Sequence, residues 1–125
     1  MYTVTVTRDF IAQHYLTVPN PGPEGDLHSH HFEAELTLSG PDLDQYRYLT
    51  DIDAVNALLD EVEARYADAT LNDLPEFEGV NPSVEHFARV VWERASEALD
   101  PDFVETLAVR LWEDETACAG YEQSL

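Results

Sequence analysis

The spacing of apolar residues changes from two to 3.6 residues and back again along the chain, and this change constrains the fold most. Residues 2–7 and 31–39 alternate apolar with polar side chains, a pattern that predicts strands with one buried face. Residues 52–66 and 82–99 follow helical spacing, and residues 105–113 again read as a strand. This order favours an α+β domain in which two helices pack on one face of an antiparallel sheet.

Local signals refine the ends of these elements. The first strand is expected to continue, through a bulge, into residues 10–14. Asp51 is expected to cap the first helix, and Asn81 to cap the second, with Pro82 at its first helical position. The stretch 46–49 is a candidate for an extra short strand.

The length of 125 residues suits one domain, and the chain contains no repeat or internal boundary, so we expect a single domain over residues 1–125. No apolar run approaches the ~20 residues that cross a bilayer, and the N-terminus lacks a signal pattern. We therefore expect a cytoplasmic protein without a membrane partner.

The charge balance is strongly acidic. The chain has 26 Asp and Glu against 6 basic residues, all of them Arg, which gives a formal charge of −20. Such a surface repels nucleic acid and anionic membranes, so no nucleic-acid partner is expected. An acidic excess without Lys resembles the bias of proteins from salt-loving organisms; the alternative is an acidic mesophilic protein that binds cations or a basic partner.

Three of the five histidines lie within residues 28–31. His28 and His30 are two apart at the start of a strand, so both imidazoles project to one side and can converge on one ion. His14, at the end of the preceding strand, can supply a third nitrogen once the two strands pair. Three imidazoles with an open fourth position are typical of catalytic zinc. An H-x-H pair is also common without a metal, so the spacing leaves both interpretations open.

Two other histidines are given surface roles. Alternation directs His31 to the face opposite His30, where it should be solvated, and His86 lies beside the apolar stripe of the second helix.

Glu113 shares the parity of the buried side of the last strand, where an unpaired charge is costly. It is therefore expected either to accept two parallel N–H bonds from a heterocycle or to reach water at the strand end.

Several motifs then occur in a fixed order along nearly the whole chain. They are F-x-A-x-H at Phe10 to His14, H-x-H at His28 to His30 with Ser29 between them, Leu71-Asn72-Asp73, Asn81-Pro82-Ser83-Val84-Glu85, and Glu113 followed eight residues later by Tyr121. Together they resemble the 6-pyruvoyl-tetrahydropterin synthase and 6-carboxy-tetrahydropterin synthase family.

This resemblance implies a tunnelling fold: a four-stranded antiparallel sheet with two helices, whose trimers close a barrel and stack into a homo-hexamer with active sites between subunits. It implies that His14, His28 and His30 bind Zn²⁺, and that Glu113 anchors the 2-amino and N3 edge of a pterin. The implied chemistry is metal-assisted proton abstraction on a 7,8-dihydropterin such as dihydroneopterin triphosphate, in queuosine or folate biosynthesis.

The chain departs from the family pattern at its proton-transfer groups. The usual Cys, four residues before the first His of the H-x-H pair, is Glu24, and the usual Asp-His pair is Ala67-Asp68. Glu24 is a candidate general base, as in a Glu-containing class of the family, and Asp68 a candidate proton relay; a solvated loop glutamate is the alternative for Glu24. Cys118 is expected to be a buried, inert thiol.

The leading hypothesis is thus a zinc-dependent tetrahydropterin synthase-like lyase. The rival is a catalytically degenerate paralogue that binds a pterin, a purine-like ligand or a metal without turnover, and a third alternative is an acidic metal-storing or partner-binding domain. Because six Arg and no Lys offer few groups for a triphosphate, a less anionic pterin or a purine-like compound is a further alternative substrate.

Overall fold

In the computed structural model, which describes residues 1–125, the four strands form one antiparallel sheet in the order β1-β2-β3-β4. Both helices lie in the connection between β2 and β3. The predicted α+β architecture, with a four-stranded antiparallel sheet and two helices, is confirmed. The elements are β1 (Tyr2–His14), β2 (His28–Gly40), α1 (Ile52–Tyr66), α2 (Val84–Ala98), β3 (Thr106–Trp112) and β4 (Cys118–Ser124).

The core lies between the helices and one face of the sheet. In β2, Phe32, Ala34, Leu36 and Leu38 are fully buried, whereas the residues between them reach the surface on the other face. Helix α1 packs on β1, and α2 packs on β3 and β4, where the indole Nε1 of Trp92 donates to a β3 carbonyl at 2.8 Å. The opposite sheet face carries mainly polar residues and is not covered by either helix.

The ladder between β1 and β2 is continuous. The register runs from Tyr2 opposite Gly40 to His14 opposite His28, so the predicted bulge is absent. This regularity matters for the site, because it sets the end of β1 directly beside the start of β2.

The candidate strand at 46–49 is wrong. The carboxylate of Asp44 accepts from the backbone N–H groups of Tyr46 and Tyr48 at 2.8 and 3.0 Å, and Arg47 has a positive φ of 70°, so the segment forms a turn. Its tyrosine side chains are exposed and do not pack in a sheet. The fourth strand is instead β4, at the C-terminal end.

The predicted cap of the second helix is also wrong. The side chain of Asp51 caps α1 as predicted, accepting from Asp53 N at 2.9 Å. Helix α2, however, begins at Val84 and is capped by Ser83, whose hydroxyl accepts from the backbone N–H of His86 at 3.1 Å. The side chain of Asn81 is thereby available for another contact.

Short 3₁₀ helices occupy two connections: Gly22–Gly25 between β1 and β2, and Leu71–Asp73 with Pro75–Phe77 between α1 and α2. Neither α-helix combines the length and the apolar composition that crossing a bilayer requires.

Candidate metal centre

The three histidines of the sequence motif meet at one end of the sheet. His14 and His28 are direct partners in the β1–β2 ladder, and His30 lies two residues further along β2 on the same face. Their ring centroids are 4.5 to 5.2 Å apart, and one nitrogen from each ring lies within 4.8 Å of the others. The antiparallel register therefore brings the His14 nitrogen to those of His28 and His30, although the 13 residues 15–27 separate His14 from His28 in the sequence.

Backbone carbonyls orient two of the rings. Nδ1 of His14 lies 2.8 Å from the carbonyl oxygen of Pro82, and Nδ1 of His28 lies 2.8 Å from that of Asp26. Because a carbonyl only accepts, each Nδ1 carries the hydrogen and each Nε2 keeps its lone pair in the neutral ring. Such second contacts commonly fix the tautomer and orientation of metal-binding histidines.

The donor set fits a soft-to-borderline divalent cation. Nε2 of His28 is buried and has no hydrogen-bond partner, which is costly for a polar atom unless a ligand satisfies it. Burial lowers the pKa of His14, and the neighbouring His28 and His30 act in the same direction, so its ring is neutral near neutral pH. Three neutral imidazoles are ligands that Zn²⁺ prefers, and three protein ligands leave a coordination position for substrate or water.

A cavity of about 750 Å³ adjoins this cluster at His30, the one of the three histidines that lines it. Glu113 lines the same cavity. It follows the last residue of β3 and is half-buried, and its backbone N–H donates to Ala117 O at 3.1 Å to close the turn into β4. The other lining residues are Asp9, Ser29, His31, Glu33, Trp112, Asp114 and Glu115.

Glu24 and Asp68 occupy different positions relative to the histidines. Glu24 lies in the exposed 3₁₀ helix between β1 and β2, near enough to His14 to favour its charged form, although burial outweighs this effect on the pKa of His14. Asp68 is exposed, adopts a positive φ of 61° after α1, and donates its backbone N–H to the carbonyl of Ile11. Its carboxylate makes no hydrogen bond, and Ile11 precedes His14 by roughly 10 Å of extended strand.

The remaining singled-out residues lie outside the cluster. His31 is exposed on the opposite face of the sheet, where its Nε2 lies 2.7 Å from the Asp9 carboxylate, and both residues border the cavity from that face. His86 is half-buried against Phe77 and takes no part in the cluster. The expectation of a buried Cys118 is wrong: it is exposed, because its parity in β4 directs it to the uncovered face.

Sequence reasoning missed the carbonyls that orient the imidazoles. The carbonyl of Pro82 belongs to a segment 68 residues after His14, and a backbone acceptor has no residue-type signature. The only signal in the sequence is the Asn-Pro motif itself, which predicts a helix start.

Comparison with known proteins identifies the family. The sequence model of the 6-pyruvoyl tetrahydropterin synthase family matches residues 3–124. The chain belongs to this family. A search of curated protein sequences gives no significant match.

Solved structures of tetrahydropterin synthases share the fold of this chain. The 6-pyruvoyl tetrahydropterin synthase of Plasmodium vivax superposes with a TM-score of 0.81 at 14% identity, with 100% of each chain covered. The enzyme of Caenorhabditis elegans gives 0.80 at 18% identity, covering 99% of this chain and 98% of the other. At these identities the similarity supports the tunnelling fold and does not define the reaction.

Proposed function

We propose that the chain is a zinc-dependent pterin enzyme that acts on the side chain of a 7,8-dihydropterin. The observation that carries the proposal is the convergence of the three imidazoles, one of which, His30, lines a cavity that Glu113 also lines. His14, His28 and His30 hold the metal. When bound, Zn²⁺ supplies Lewis-acid polarisation of the side-chain oxygens, which makes the adjacent C–H acidic.

Glu113 orients the substrate in this proposal. A carboxylate can accept two parallel N–H bonds from the amidine-like 2-amino and N3 edge of a pterin, as it does from a guanidinium. Its half-buried position strengthens such bonds relative to bulk water. The pterin ring would thus be held at one end of the cavity, with its side chain directed to His30.

Glu24 accepts the proton. It occupies the position of the usual catalytic Cys, and its carboxylate lies near His14. Among the structurally similar proteins, the P. vivax synthase has solved variants in which a Glu is replaced by Cys or Ala, and this Glu is described as a catalytic residue of that protein. Asp68 stays a prediction as proton relay, since it lies along the edge of β1 rather than among the histidines.

The side chain of the substrate is expected to carry little negative charge. Four of the six arginines are engaged in ion pairs with carboxylates, and no arginine lines the cavity beside His30. A triphosphate in this cavity would face several carboxylates with the metal as its only cation. We therefore place a non-phosphorylated 7,8-dihydropterin ahead of dihydroneopterin triphosphate.

We also propose the homo-hexamer of the family as the active assembly. Support comes from the sheet face that neither helix covers and from the outer edge of β4, whose backbone groups have no partner strand in a single chain. Sedimentation velocity at high salt tests this: a species of six chains is expected, and a monomer would contradict it. The cytoplasmic location, the high-salt origin and the pathway stay predictions.

The decisive experiment incubates zinc-loaded protein with dihydroneopterin and, separately, with its triphosphate at high salt, and analyses the products by mass spectrometry. We expect side-chain cleavage in the wild type, loss of product in Glu24→Gln, and full activity in Glu61→Gln, an exposed glutamate on α1. Pterin binding without any product would instead establish the binding-only paralogue. A protein that binds neither zinc nor a pterin would refute both the enzyme and the binding-only paralogue.

A further inference from the structure

The segment that follows β1 is held by two asparagine side chains. The side-chain amide of Asn72 forms hydrogen bonds with both backbone groups of Tyr15. Its Oδ1 accepts from Tyr15 N at 3.0 Å, and its Nδ2 donates to Tyr15 O at 2.9 Å. Two residues further on, Thr17 N donates to Oδ1 of Asn81 at 2.9 Å. These two asparagines belong to the Leu-Asn-Asp and Asn-Pro motifs, to which the proposed chemistry assigns no role.

The asparagines extend a pairing that the backbone begins. Residues 67–70 run along the outer edge of β1, where Gln13 N donates to Ala69 O at 2.8 Å. The chain then turns away into the 3₁₀ helix Leu71–Asp73, and the side chain of Asn72 takes the place of the next strand residue. The edge of β1 is thereby satisfied beyond the point where the backbone ladder ends.

Asn72 thus clamps Tyr15, and Asn81 clamps Thr17. The segment held by these two clamps, residues 15–17, connects the metal ligands to the candidate base. It starts directly after His14, whose ring is oriented by the carbonyl of Pro82, next to Asn81. Between the two clamped residues, the backbone N–H of Leu16 donates to the carbonyl of Glu24 at 2.9 Å. The backbone of Glu24 is therefore attached to a stretch that is fixed on both sides.

We propose that Asn72 and Asn81 are positioning residues that hold residues 15–17 extended beside His14 and thereby fix the loop that carries Glu24. The clamp itself follows from the contacts above, and its catalytic consequence rests on the proposed function. Neither asparagine is among the residues that line the cavity, so both are placed to act through the loop and not on a substrate.

The two clamps differ in a way that provides a matched test. Asn81 uses only its Oδ1 as an acceptor, so Asn81→Asp keeps the bond to Thr17 while Asn81→Ala removes it. Asn72 uses both its acceptor and its donor. In Asn72→Asp the new carboxylate oxygen faces the Tyr15 carbonyl, so the same isosteric change should open this clamp.

Hydrogen exchange of the zinc-loaded protein, read by mass spectrometry over residues 15–25, measures the clamp without any activity. We expect exchange about tenfold faster or more in Asn72→Asp and Asn81→Ala, near wild-type exchange in Asn81→Asp, and no change in the core of β2. Wild-type exchange in both disrupted variants would overturn the proposal, and so would Asn81→Asp behaving like Asn81→Ala. If Asn72→Asp does not fold, Asn72→Ala replaces it.

The catalytic consequence has its own measurement. With zinc stoichiometry unchanged, kcat should fall about tenfold to a hundredfold in Asn81→Ala and recover in Asn81→Asp, because a displaced base costs rate more than binding. An open loop with unchanged kcat would overturn the positioning role. If the wild type turns over no pterin, the proposed function fails while the exchange comparison still decides whether the clamp exists.

Discussion

Replacing His28 by Phe should abolish the response to zinc while leaving the metal-free protein about as stable as the wild type. In the metal-free protein, the change removes the buried Nε2 that has no partner, which should recover about 1–3 kcal/mol. It also removes the bond from Nδ1 to the Asp26 carbonyl, which is worth ~1 kcal/mol. The ring that packs against His14 and His30 is retained, so the two terms roughly cancel or favour the variant.

With zinc present, the variant and the wild type should separate. A ligand at 100 times its Kd stabilises the protein that binds it by ~2.7 kcal/mol, which corresponds to roughly 10 °C in Tm for a domain of this size. We expect this increase in the wild type and not in His28→Phe. His31→Phe is the matched control, because this neighbouring ring lies exposed on the opposite face.

Calorimetry of EDTA-treated protein, with and without zinc and with metal content measured in parallel, provides the assay. One zinc per chain is expected in the wild type and in His31→Phe. A full zinc response in His28→Phe, or its loss in His31→Phe, would show that the metal is held elsewhere and would refute the assignment.

Three further predictions concern stability and binding. Glu76→Gln should lower the free energy of unfolding by about 1–3 kcal/mol at pH 7, since this carboxylate accepts from Arg65 and Tyr66. Arg65 above all holds the pKa of Glu76 far below its ordinary value of 4.5, so the stabilisation is fully present above pH 4.5. The difference in unfolding free energy from the wild type, measured by urea titration, should narrow progressively as the pH falls below that value; a difference that stays constant in acid would contradict this. Glu113→Gln should weaken pterin binding about tenfold to a hundredfold in calorimetric titration without changing zinc content, and equal pterin affinity would exclude it as the anchor. Leu36→Ala, in the fully buried centre of β2, should cost about 2–5 kcal/mol with an unchanged urea m-value, whereas a cost below ~1 kcal/mol would mean that this core is loosely packed.

The elements that the sequence predicted well are those with a strong apolar period. The stripe of α1 and the alternation of β2 each bury several large side chains, so their burial energy outweighs any local preference for another structure. The fourth strand carries no such signal. Its inward residues include Ala119 and Gln123, and its outward residues include Gly120, so pairing with β3 and not its own pattern makes it a strand.

The cap of α2 shows a different limit. Asn and Ser have nearly equal preference for an N-cap, and the motif offers both Asn81 and Ser83 within three residues. Local chemistry cannot choose between them. The choice follows from Thr17, whose backbone N–H binds the Asn81 side chain and is brought there by the end of β1.

The chain itself specifies the ligands and the surfaces that must be buried: three histidines at strand ends, a glutamate directly after the third strand, and apolar faces with defined periods. Tertiary structure alone decides that these groups form one site. The register of β1 against β2 sets His14 opposite His28. The carbonyl of Pro82, 68 residues away, decides which ring nitrogen of His14 is free, whereas the carbonyl of Asp26, two residues away, does so for His28. The physical reason is that side-chain identity is local, whereas strand register and backbone hydrogen bonding depend on how the whole core packs.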